Sequence, residues 1–202
     1  MEQASLMIPY TKIRIMKKTG GHSTILHKRG INQLGIDPCP VMINTAKKKL
    51  GVYKCISLEK LSPSFGSYDA VISMFNVVNH IDNIKDLQLY FKSIYSQLNF
   101  NGLFIFDCFN NIAFNRDAPK IIKKQSFTIT PIVNYFQAQM ELVGKSNMSS
   151  KMNYNIKQRI WGIDILSDYL YYNNFKEIRI FKQNTHKQAL IDDYKITIIC
   201  KK

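Results

Sequence analysis

The sequence predicts an α/β fold built on a mainly parallel sheet, and three observations carry that prediction. Short apolar runs alternate with helical patterns through the first half of the chain, which is how βα units read. YDAVISMF and GLFIFDCFN are nearly continuous apolar runs, suited to strands covered on both faces. Two further β-prone runs, KEIRIFKQ and YKITIICK, close the chain, and their proximity predicts a terminal antiparallel hairpin.

Taken in order, Ile31 to Ile36 is a strand candidate ending at Asp37, and Pro40 to Leu50 is a helix with Val41, Ile43, Ala46 and Leu50 on its inner face. Val52 to Ile56 reads as a strand, followed by the turn-rich SPSFGS and the strand YDAVISMF. Asp82 or Asn83 caps the next helix, where Leu87, Tyr90, Phe91, Ile94, Tyr95 and Leu98 recur at three- and four-residue spacing. NFNG ends that helix and Gly102 opens the next strand. Residues 123–161 change texture: β-prone stretches between polar turns predict a small antiparallel insertion. A helix from about Asp164 to Tyr172 precedes the final hairpin. Residues 1–202 read as a single domain carrying that insertion. Two adjacent strand ends then bring FNVVNH and DCFNN to one edge of the sheet, the edge where open α/β sheets bind ligands.

Composition limits the partners. The chain has 28 bases against 14 acids, a net charge of +14, which suits a phosphate-rich partner or an anionic surface. Only Arg14, Arg29, Arg116, Arg159 and Arg179 are arginines, and bidentate phosphate or guanine recognition favours arginine over lysine. A diffuse lysine excess therefore fits better than a nucleic-acid surface. No apolar run approaches the roughly 18 residues of a membrane span, and MEQASLMIPY has no export-signal pattern, so a soluble cytoplasmic protein is expected. Cys39, Cys55, Cys108 and Cys200 form no C-x-x-C pair; reduced, mostly buried thiols are expected. His22 and His27 are five apart and do not share a helix face, so no metal site is expected.

Four segments, TGGHSTILHKRG, GIDPCPVMINTAKKKL, YDAVISMFNVVNHIDNIKDLQLYFKSIYSQLNFNGLFIFDCFN and QRIWGIDILSDYLYYNNFKEIRIF, together resemble a class I S-adenosylmethionine (SAM)-dependent methyltransferase, in particular the small-molecule N-methyltransferase-like branch. The resemblance implies a Rossmann-like class I methyltransferase fold with a seven-stranded sheet. It also implies SAM as cofactor and methyl transfer to a nitrogen or oxygen of a small molecule. Asp37 of GID stands where the family's acid accepts hydrogen bonds from both ribose hydroxyls; the alternative is an Asp that only caps the helix at Pro40. Pro38 would lie against the adenine. Met74 and Phe75 would flank the adenine or the methionine portion, the alternative being core packing. His80 of FNVVNHI would face the acceptor and take its proton as the methyl moves, the alternative being a histidine packed beside the helix at Asn83. Asn76, Asn79 and Asn110 are candidates for orienting a polar acceptor.

One motif departs from the family. The pattern D-x-G-x-G-x-G would place Arg14 at the acid, Met16 at the first glycine and Lys18 at the second, leaving only Gly20 with Gly21 beside it. Side chains at Met16 and Lys18 would fill space that the backbone turn beside the cofactor requires. Two positive charges about 6 Å apart repel by roughly 3 kcal/mol at an effective dielectric near 20, so Arg14 opposes a cationic cofactor. MEQASLMIPYTKIRIMKK is also short for the helices that cover the cofactor in the family. A truncated or frameshifted product, a noncatalytic binding or regulatory descendant, and a divergent enzyme all fit this departure. A methyltransferase acting on RNA is the third functional class, drawing on the basic charge and the 12% aromatic content.

Overall fold

The computed structural model describes residues 12–16, 21–56, 67–111, 120–123, 127–134, 137–146, 154–191 and 193–202. The first half alternates strand and helix: β1 (Lys12–Met16), α1 (Gly21–Lys28), β2 (Asn32–Asp37), α2 (Pro40–Ala46), β3 (Val52–Cys55) and β4 (Tyr68–Ser73). A 3-10 turn (Val77–His80) leads to α3 (Ile84–Gln97) and β5 (Leu98–Phe109). After β6 (Ile122–Lys123), β7 (Phe127–Asn134), β8 (Gln139–Ser146) and β9 (Tyr154–Arg159) come α4 (Ile163–Tyr172), β10 (Lys176–Lys182) and β11 (Lys195–Lys201).

Seven strands form one mixed sheet in the order β10-β11-β5-β4-β1-β2-β3. The pairings β3/β2, β2/β1, β1/β4 and β4/β5 are parallel. β11 runs antiparallel to both β5 and β10. The strands β6 to β9 form a separate four-stranded antiparallel sheet, at the place where the sequence changes texture. Strand order reverses beside β1, so the crevice between the ends of β2 and β4 is the topological switch point.

Alternation along β4 covers both faces. Ala70 and Ile72 meet Leu26 of α1, while Val71 joins Leu87, Tyr90, Phe91 and Ile94 of α3 on the opposite face. Phe104 and Phe106 of β5 stack with centroids 4.7 Å apart, and the ring of Phe91 approaches both. Leu166 and Leu170 of α4 close the same core. Each of these fully buried side chains contributes about 1.5–3 kcal/mol by leaving water. Asn83 caps α3, its Oδ1 accepting from the Asp86 amide at 2.9 Å.

Three expectations need correction. The helix after Asp37 stops at Ala46, so only Ile43 and Ala46 face inward, while Val41 and Leu50 are 71% and 52% exposed. Val41 lies two residues from Ile43, across the helix, and the chain leaves the helix before Leu50 could complete the stripe. NFNG does not separate α3 from the next strand: β5 already begins at Leu98, and the turn sits inside it as an irregularity, with Tyr68 opposite Leu98 but Ala70 opposite Leu103. Asn101 takes a left-handed φ of 62° there. The free thiols divide evenly, Cys39 and Cys55 exposed, Cys108 and Cys200 buried. Burial pushes the thiols of Cys108 and Cys200 up from their ordinary range.

Candidate functional site

The register of β1 places the site. Met16 is opposite Ile36 on one side and Ser73 on the other. Asp37 and Met74 are therefore each one residue beyond the partners of Met16, flanking its end at about two strand spacings, roughly 10 Å apart. Gly20, with Lys18, lies outside the described residues. Arg14 belongs to β1, opposite Leu34 and Val71.

Asp37 is 4% exposed. Its Oδ1 accepts the Cys39 amide at 2.8 Å, directly ahead of α2. Its Oδ2 is buried with no hydrogen-bond partner. A carboxylate oxygen taken out of water without a donor costs free energy, so Oδ2 is an acceptor for which the described residues supply no donor. Pro38 follows on the surface, and its carbonyl accepts from the Cys55 thiol at 3.4 Å.

Across β1, Met74 is half-buried and Phe75 is 37% exposed. Phe75 and Asn76 both take left-handed φ values, 71° and 58°. β4 ends at Ser73, and Phe75 stands in the turn beyond it. Asp107 of β5, 2% exposed, sits under this turn. Its Oδ1 accepts the Asn76 amide at 2.7 Å and its Oδ2 accepts from Gln183 Nε2 at 2.8 Å. Desolvation raises the pKa of this carboxyl, opposed by the Asn76 amide, Lys195, Gln183 and the Phe75 amide.

The 3-10 turn then delivers His80 to the surface. Its Nε2 lies 3.2 Å from Nε2 of Gln158 on β9. Gln158 is buried, and its Oε1 has no partner. This contact ties His80 to the insertion. Trp161 fixes the backbone around it, its Nε1 donating to the carbonyls of Val78 and Ile81 at 3.2 Å each.

Of the three asparagines, Asn79 and Asn110 are engaged in holding the fold. Asn79, fully buried, donates from Nδ2 to the Arg159 carbonyl at 2.7 Å, and its Oδ1 accepts the Phe109 amide at 3.3 Å. Asn110 donates from Nδ2 to the Ile191 carbonyl at 3.1 Å. It borders a cleft of about 560 Å³ with Ile163, Ile178, Ile180, Leu190 and Ile191. Asn76 differs: its Oδ1 is buried without a partner. Gln158 and Asp107 are the residues sequence reasoning missed. For Asp107 there was a signal, an acid within the apolar run FIFDCF; for Gln158 there was none.

Residues 18–106 match the family model described as a methyltransferase domain. The fold is similar to that of an S-adenosylmethionine-dependent methyltransferase from Clostridium acetobutylicum, with TM-score 0.80 at 14% identity over 96% of this chain and 84% of the other. It is also similar to the CcbJ methyltransferase of Streptomyces caelestis, with TM-score 0.79 at 13% identity over 95% and 88%. A third likeness is to SAM-bound CalS10, an amino pentose methyltransferase from Micromonospora echinaspora, with TM-score 0.70 at 9% identity over 95% and 83%. No curated protein sequence matches the chain. The fold is thus that of the class I SAM-dependent methyltransferases. Asp37 fits SAM in one respect: its Oδ2, buried with no donor among the described residues, would accept from a ribose hydroxyl. Among the described residues, no helix is long and apolar enough to cross a membrane.

Proposed function

We propose that this chain is a SAM-dependent methyltransferase that methylates a nitrogen or oxygen of a small molecule, in one domain whose β insertion serves the acceptor side. The observation that carries this reading is Asp37, a buried carboxylate at the switch point with one oxygen fixed by the Cys39 amide and the other without a donor. Asp37 Oδ2 accepts from the ribose hydroxyls, and the Cys39 amide holds the carboxyl group in place for them. Pro38 bounds the adenine on the β2 side; Met74 and Phe75 bound the adenine or the methionine portion on the β4 side. Gly20 supplies the remaining backbone approach, by resemblance.

SAM, when bound, supplies an activated methyl group that moves in a single displacement. The chain needs no nucleophile of its own, and its contribution is alignment and proton handling. His80, exposed at the end of the β4 turn and steadied by Gln158, takes the proton that the acceptor nitrogen or oxygen loses. Transfer to a small molecule is supported by the likeness to an amino pentose methyltransferase. Free thiols on the surface, Cys39 and Cys55, suit a reducing compartment such as the cytoplasm.

Isothermal calorimetry with SAM and with S-adenosylhomocysteine tests the reading. Micromolar binding of either is the expected result, and no binding of either at millimolar ligand overturns it. A noncatalytic descendant is the second reading, favoured by Arg14, Met16 and Lys18 in place of an acid and two glycines. Combined Arg14→Asp, Met16→Gly and Lys18→Gly substitutions separate the two: a gain of SAM binding from none supports the descendant.

A further inference from the structure

We infer that Asp107 is a positioning residue, holding the left-handed Phe75-Asn76 turn and the β10–β11 connection on one carboxylate and so setting where Phe75 and His80 are presented. The inference rests on the methyltransferase reading for its ligand-binding consequence, and on geometry alone for its structural one.

Left-handed φ is disfavoured for side chains with a Cβ. Asn tolerates it, but Phe does so only where the surroundings over-determine it. Here two such residues stand in succession, with φ of 71° and 58°. Successive backbone N–H groups in turns of this kind form a concavity suited to an anion. Asp107 supplies that anion from within the fold: its carboxylate bonds the amides of both Phe75 and Asn76. Without it the turn keeps its steric cost and loses its compensation.

The other carboxylate oxygen reaches a different element. Gln183, just beyond β10, donates to Oδ2 at 2.8 Å, and its own amide bonds the Lys195 carbonyl at 3.2 Å. One buried group therefore joins the turn beside the cofactor crevice to the connection on the far side of β5. Two residues further along β5, the Phe109 amide bonds Asn79 Oδ1. The strand end D-C-F thus fixes the turn before and within the 3-10 segment that ends in His80.

Asp107→Ala is the test, since Asn would keep an oxygen for the Asn76 amide, with Cys108→Ala as a control: Cys108 is also buried, and strand alternation points it to the other face of β5. Two readouts are taken, S-adenosylhomocysteine affinity by calorimetry and amide hydrogen exchange at Phe75 and Asn76. Asp107→Ala is expected to weaken S-adenosylhomocysteine binding tenfold or more and to speed exchange at both amides at least tenfold. Cys108→Ala is expected to lower Tm while keeping affinity and exchange within twofold. Asp107→Ala values within twofold of the unsubstituted protein, or equal losses in Cys108→Ala, overturn the inference. If Asp107→Ala does not fold, Asp107→Ser, whose shorter side chain cannot join the two elements, is judged by the same outcomes. If the unsubstituted protein binds no S-adenosylhomocysteine, the methyltransferase reading falls. The exchange measurement then decides alone, and unchanged exchange in the Asp107 variant overturns the positioning role.

Discussion

The Nε2 of His80 lies 3.2 Å from the Nε2 of Gln158, although 78 residues separate them along the chain. A glutamine amide serves an imidazole in either protonation state: it donates from Nε2 to a ring lone pair, or, turned over, accepts at Oε1 from a ring N–H. Among the described residues Gln158 Oε1 has no other partner, so none of them opposes the turn. With the amide turned over, Oε1 accepts from the ring Nε2–H in both the neutral and the protonated imidazole, so a proton arriving at Nδ1 leaves the pair intact.

Substitutions at this pair should separate proton handling from cofactor binding. His80→Asn is expected to slow methyl transfer about 100-fold, a typical loss for a general base, with S-adenosylhomocysteine affinity within twofold. Gln158→Glu should slow transfer as well, because a carboxylate there favours the imidazolium, which has no lone pair to accept a proton. Single-turnover transfer to an amine acceptor checks both; full activity in His80→Asn removes the residue from the mechanism.

Asn79 should matter to stability well beyond its size. Asn79→Ala leaves the Arg159 carbonyl and the Phe109 amide without their partner, at about 1–3 kcal/mol for each buried orphan. For a domain of this size each kcal/mol lowers Tm by about 2–4 °C, so a fall on the order of 10 °C is expected by calorimetry. A shift under about 2 °C would mean that water or a backbone adjustment replaces both bonds.

The sequence made legible what is periodic or local. The buried face of α3 follows from Leu87, Tyr90, Phe91 and Ile94, and its start from Asn83 with its bond to the Asp86 amide. β4, β10 and β11 follow from their apolar runs, and Asp37 from its place between a strand and a helix. The end of α2 was not legible, because Val41 and Leu50 match a helical count that the chain abandons at Lys47. Nor were Asp107 and Gln158: their partners lie 31 and 78 residues away, brought close by strand order and by an insertion crossing back over the sheet edge. Asn79 and Asn110 read as free amides in the sequence because their partners are backbone groups of distant segments.

Acid should loosen the β10–β11 connection through Asp193. The Leu190 amide bonds its Oδ2 at 2.8 Å and Lys182 Nζ stands 2.7 Å from its Oδ1. The amide first and the lysine second lower its pKa below the ordinary carboxylate value. A depressed pKa contributes stability that is present above the unfolded value, about 3.9, and is lost as pH falls through the folded value. The Tm difference between unsubstituted protein and Asp193→Asn should therefore be largest above about pH 5 and should shrink toward zero as pH falls below about 4. A difference independent of pH would show that the bonds at Asp193 do not depend on its charge.

Asp37 separates cofactor binding from helix capping with two substitutions. Asp37→Asn keeps an oxygen for the Cys39 amide but puts an NH2 in place of the partnerless Oδ2, and an NH2 cannot accept from ribose hydroxyls. Charge-assisted bonds are worth about 1.5–3 kcal/mol, so S-adenosylhomocysteine affinity should fall roughly 10- to 150-fold with Tm nearly unchanged. Asp37→Ala also loses the bond ahead of α2, at about 1 kcal/mol, so it should lose affinity to the same degree and Tm in addition. If Asp37 only capped α2, the pattern would invert: Asn would bind like the unsubstituted protein, and Ala would lose stability alone. The two variants measured side by side by calorimetry and thermal unfolding therefore assign each oxygen of the carboxylate its own role, Oδ1 to the fold and Oδ2 to the ligand.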